Sequence, residues 1–112
     1  MKDITRVKIE VFIPEENVPA LLDALAAAGV GVIGNYDHCA SVLQAKGYWR
    51  PLAGANPYEG RVGEISTGTE AKVEVNCDGS LAPAAIRAIR SVHPYEEPVI
   101  NVLPIINDWF LL

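Results

Sequence analysis

Apolar and polar residues alternate from Val7 to Ile13. Val7, Ile9, Val11 and Ile13 fall on one face, with Lys8 and Glu10 on the other, the period of two expected of a half-buried strand. Phe12 interrupts the polar face, which predicts that this face is covered too, by another subunit. Pro14 stops the strand, and Glu15 and Glu16 sit where a helix N-terminus favours negative charge. Val18, Leu21, Leu22, Leu25 and Ala28 then recur at helical spacing. Pro19 is tolerated only within a first turn, and Gly29 stands where a left-handed C-terminal residue is wanted. The spacing predicts a helix over 15–28.

Val32 and Ile33 open a second extended stretch that runs to Leu43. Over about 45–69, Gly47, Gly54, Gly60, Gly63 and Gly68 join Pro51 and Pro57, which predicts a long loop with a short strand at Tyr48 and Trp49. Loops of that length inside a compact domain are commonly functional. Clean alternation over 70–76 predicts a third main strand, and Asp78-Gly79-Ser80 a turn that supplies a helix cap. Leu81, Ala85, Ile86, Ile89 and Val92 mark a second helix with Arg87 and Arg90 toward solvent, and Pro94 ends it. Val99–Leu103 reads as a last strand interrupted by Pro104, and Asp108–Leu112 as an apolar tail that covers a neighbouring subunit. The order β-α-β-β-α-β predicts an α+β, ferredoxin-like sandwich: an antiparallel sheet with both helices on one face.

Composition narrows the class. The chain has 112 residues, one domain's worth, so 1–112 is read as a single domain. Half of them are apolar, too many for an intrinsically disordered chain. The net charge of −5 disfavours nucleic acid, whose backbone is bound by Lys and Arg. No apolar run approaches the roughly 20 residues of a membrane span, and the polar start is unlike a secretory signal. A cytoplasmic protein is expected. Cys39 and Cys77 are too few for a disulfide framework.

Two segments carry more than fold-level information. His93-Pro94-Tyr95-Glu96-Glu97-Pro98, followed by Val99–Ile105, resembles a motif of the CutA divalent-cation-tolerance family. Gly34-Asn35-Tyr36-Asp37-His38-Cys39, with Gly47-Tyr48-Trp49-Arg50-Pro51 and Gly54-Ala55-Asn56-Pro57, resembles the CutA-like domain inserted in YqfO-type proteins. Those are the dinuclear-metal, NGG-interacting-factor-three family. The resemblance spans about Lys8 to Ile105. It implies the CutA/PII-like fold and a homotrimer. The family's metal site and presumed hydrolase chemistry belong to two flanking halves that this sequence does not contain.

Three groups of polar residues remain to be weighed. His93, Tyr95, Glu96 and Glu97 sit where a helix passes into a strand. Imidazole with carboxylate suits a divalent metal ion or a cationic ligand, but the same residues also make a structural turn at a helix C-terminus. His38 and Cys39, beside Asp37, form a second group. Cys39 and Cys77 on neighbouring strands could bind a soft metal or respond to oxidation, or simply fill space as small hydrophobes. Because the second and fourth strands start at opposite ends of the sheet, His38 and His93 are not expected to share a site within one subunit. The third group lies in the long loop: Trp49, Arg50, Asn56, Tyr58 and Arg61. The arginines suit an anionic ligand and Trp49 a stacking contact, with an intersubunit arm as the structural alternative.

No Walker or dinucleotide glycine pattern occurs, and no serine sits in a nucleophile elbow. The leading expectation is therefore a non-enzymatic, oligomeric domain that binds a small ligand, a metal ion or another protein. Its rivals are a metal-dependent hydrolase working at an intersubunit site, and a structural partner of separately encoded YqfO-type halves.

Overall fold

The computed structural model describes residues 3–111. Four strands form one antiparallel sheet in the order β2-β3-β1-β4: β1 (Arg6–Ile13), β2 (Ser41–Trp49), β3 (Ser66–Asp78) and β4 (Ile100–Ile105). Helices α1 (Val18–Ala27) and α2 (Ala82–Val92) link β1 to β2 and β3 to β4. This is the ferredoxin-like arrangement expected from the element order.

The core is built by register. Val7, Ile9, Val11 and Ile13 lie opposite Cys77, Val75, Val73 and Ala71, so both central strands turn one apolar row to the same face, and all eight residues are buried. Leu21 and Leu25 of α1 and Ala85 and Ile89 of α2 close over that face. Gly29 follows α1 with φ +80°, the left-handed exit expected of it. The other face is polar at its centre. Lys72 bridges Glu10 at 3.2 Å and Glu74 at 3.3 Å, and Lys8 reaches Glu74 at 3.4 Å. Lys72 is held above the ordinary lysine range, by Glu10 first and then Glu74.

Several expectations are corrected. The stretch from Val32 to Ala40 is not strand; it holds one isolated bridge, Ile33 to Tyr36, because Gly31, Gly34 and His38 all take positive φ. The strands instead run on into the supposed loop, which leaves 50–65 as the connection. Gly47 and Gly68 face each other across β2 and β3. A Cβ on Gly47 would meet the Glu70 carboxylate at 2.5 Å, and one on Gly68 the Trp49 ring at 3.4 Å. These glycines therefore mark where large side chains lie flat across the ladder rather than where the strand breaks.

Asp78 caps no helix through its side chain; its carboxylate takes the Arg6 guanidinium at 2.9 Å. Pro104 lies within β4, tolerable because β4 is an edge strand. The start of the tail is fastened to its own chain, while Phe110 and Leu111 stay exposed. Trp109 Nε1 donates to the Asp3 carbonyl at 3.2 Å, and Thr5 Oγ1 donates to Asp108 at 3.0 Å. Leu112 lies outside the described residues. Cys39 and Cys77 are free thiols. Cys77 belongs to the core, and burial pushes its thiol up.

Candidate functional site

β1 pairs with β3 only as far as Ile13 opposite Ala71. Beyond that row, β2 and β3 continue alone through the pairs from Ala45–Glu70 to Trp49–Ser66. This projecting arm, the 50–65 loop and the segment after α2 line an open cavity of about 640 Å³. Phe12, Trp49, Pro51, Tyr58, Tyr95 and Val99 make its walls mainly apolar. A concave apolar site with a few convergent polar groups is the usual form of a small-molecule pocket.

Hydrogen bonds fix these walls. Tyr95 Oη donates to Glu70 Oε2 at 3.0 Å, and its ring lies 6.0 Å from that of Tyr58. Burial first, and then Glu70, pushes the Tyr95 phenol above its ordinary range. Trp49 Nε1 donates to the Glu59 carbonyl at 2.9 Å, which pins the loop to the arm. The Glu96 carboxylate accepts the backbone N–H of Asn56 at 3.2 and 3.3 Å. That bond joins the loop to the segment after α2 across forty residues of sequence.

His93 stands behind the wall, its ring 4.8 Å from that of Tyr95. Its Nε2 donates to the Phe12 carbonyl at 2.6 Å, and its Nδ1 accepts the Tyr95 backbone N–H at 3.2 Å. A carbonyl only accepts and an N–H only donates, so the ring is the neutral Nε2–H tautomer with both nitrogens used. Burial lowers its pKa. His93 therefore offers no nitrogen to a metal within this chain, and its role is to fasten the turn. Among the described residues, no three His, Cys, Asp or Glu side chains converge as metal ligands.

Two of the three expected groups come together. Tyr95, Glu96 and Glu97 share the cavity with Trp49, Arg50 and Tyr58, while Asn56 ties the two segments from behind. Arg61 does not line it. His38 and Cys39 lie elsewhere: His38 is exposed between Asp37 and Asp23 of α1, at 2.9 and 3.0 Å, and Cys39 Sγ donates to the Asp37 carbonyl at 3.6 Å. His38 and His93 have no partner in common, as the topology required. Sequence reasoning missed Glu70 as a site residue. Gly47 opposite Gly68, a slot that invites a neighbouring side chain, becomes a signal only once the β2–β3 register is known.

Comparison with known proteins places the chain. No family model matches it. It is 38% identical over 98 residues to a Bacillus subtilis protein named GTP cyclohydrolase 1 type 2 homolog, covering 88% of this chain and 26% of that one. A Mycobacterium leprae protein of the same name is 34% identical over 96 residues, 86% of this chain and 25% of its own length. The chain thus spans about a quarter of the length of the curated relatives it matches. A solved Bacillus cereus protein related to NIF3 superposes with TM-score 0.80 at 31% identity, over 96% of this chain and 27% of that one. CutA from Archaeoglobus fulgidus superposes with TM-score 0.68 at 17% identity, over 90% of this chain and 84% of its own.

Proposed function

We propose that this CutA-like chain, homologous to about one quarter of the NIF3-related proteins it matches, works by binding a small organic ligand within a homo-oligomer, without catalysis of its own. The cavity carries the reading. Its volume of about 640 Å³ lies within the roughly 300–1,000 Å³ of small-molecule pockets, and Glu70, Glu96 and Tyr95 are held at its rim by hydrogen bonds. The cytoplasm suits this role, because two free thiols fit a reducing compartment.

A fragment screen on the isotope-labelled chain, read by two-dimensional amide NMR, tests the proposal. Shifts should saturate and gather at 47–52, 58 and 95–99. Shifts scattered over the helices, or none at all, would overturn it. Stoichiometric metal that survived dialysis would instead revive the metal reading, and a protein that co-purifies in fixed ratio would revive the structural-partner reading.

A further inference from the structure

We propose that the ligand of this cavity is a small organic cation, an alkylated or aromatic ammonium held against aromatic faces with carboxylates as its counter-charge. The inference rests on the ligand-binding reading above and deepens it.

Charge in the walls is one-sided. Glu59, Glu70, Glu96 and Glu97 line the cavity against Lys46 and Arg50. Among the described residues none of the four carboxylates is paired with a cation; the ion pairs lie elsewhere, on Glu10, Glu74, Asp78 and the His38 neighbours. Lys46 is partly satisfied, its ammonium lying 5.6 Å from the Tyr48 ring. Tyr95 reports the resulting field. After burial, the hydrogen bond to Glu70 and then the charges of Glu70, Glu59 and Glu16 raise its phenol.

Three aromatic side chains, Trp49, Tyr58 and Tyr95, also line the cavity. Aromatic faces attract cations through the ring quadrupole, ammonium groups above all. Phe12 already carries such a contact, with the Lys72 ammonium 5.9 Å from its ring centre.

Rival ligand classes fit less well. An anion would find Arg50 and Lys46 without Arg61, which lies off the cavity, and would meet four carboxylates. A transition metal would want imidazole, and both nitrogens of His93 are taken. A cation with an apolar body uses both the charge and the rings.

Three probes of matched shape separate the possibilities: phenyltrimethylammonium, benzoate and benzyl alcohol. Each is titrated into the whole chain, with the 95–99 amides followed by NMR. Trp49 fluorescence in a Trp109→Phe background gives a second readout. Phenyltrimethylammonium alone should saturate, and Glu70→Gln and Glu97→Gln should each weaken it at least five-fold. Benzoate or the alcohol binding as tightly, or both variants binding the cation unchanged, overturns the cation assignment and leaves the ligand-binding reading standing. If the fragment screen succeeds and the ammonium probe does not bind, the cation assignment again falls alone. If neither experiment finds binding, both readings fall.

Discussion

Both ring nitrogens of His38 face carboxylates, Nδ1 toward Asp37 at 2.9 Å and Nε2 toward Asp23 at 3.0 Å. Carboxylate oxygens only accept, so this geometry requires the doubly protonated ring, and Asp37 first, then Asp23, raises its pKa above 6.5. Burial acts in the opposite direction on His93 and lowers it from the same value. The stability that His38 contributes is therefore complete below pH 6.5 and is lost as pH rises through its raised folded value. The contribution of His93 is complete above 6.5 and is lost as pH falls through its lowered one. One NMR titration of the two imidazoles should find His38 above 6.5 and His93 below it. The Asp23→Asn chain should bring His38 down while leaving His93 in place. Coincident titrations would contradict both sets of contacts. The sequence showed that both rings lay in informative motifs, but not what they touch. The partner of His93 is the Phe12 carbonyl, 81 residues away, and no local pattern encodes a backbone acceptor that far along the chain.

Within the β2–β3 arm, one glycine decides whether the site holds its shape. An added methyl at Gly47 would stand 2.5 Å from Glu70 Oε1 and 3.0 Å from its Cδ, so the carboxylate must shift, at the expense of the bond that its Oε2 takes from Tyr95 Oη. Losing a hydrogen bond to a charged group costs about 1.5–3 kcal/mol. Replacing glycine by alanine within a strand returns about 0.5–1 kcal/mol. The loss wins, and Gly47→Ala should lower the unfolding free energy by about 0.5–2.5 kcal/mol in urea titration. An unchanged or higher midpoint would mean that the Tyr95–Glu70 bond contributes nothing. The same glycines explain what the sequence concealed among its elements. β1, α1, α2 and the centre of β3 were legible because each turns a buried stripe to one core, and periodicity reports burial on one side. The arm has no helix above it, so Tyr48 and Trp49 follow no alternation, and Gly47 and Gly68 look like loop residues when they are slots in a ladder. Val32 and Ile33 misled in the other direction. They are apolar yet exposed, because Gly31 and Gly34 at positive φ turn the chain before a strand can form.

At the scale of the whole molecule the sheet is covered on one face only. β2 and β4 are both edges, and an unpaired edge invites another chain. The arm projects past the last row of β1 with neither face covered by a helix, giving the molecule a long axis of 49 Å. In the homo-oligomer proposed above, such an arm loses exposure against another copy, and a closed ring of copies leaves no unpaired surface at either end. Leu43 tests this. It lies on the open face of β2, directly opposite Lys72, and is 49% exposed in the single chain. In a monomer, Leu43→Glu would place a carboxylate across from an ammonium on an exposed surface, a change worth less than about 0.5 kcal/mol. In an oligomer it would bury that charge at a subunit contact and drive the copies apart. Light scattering should therefore give three chain masses for the unaltered protein and one for Leu43→Glu, with the variant still folding cooperatively. A single chain mass for the unaltered protein across the micromolar range would remove the oligomer. An unchanged trimer in the variant would move the subunit contact away from this face.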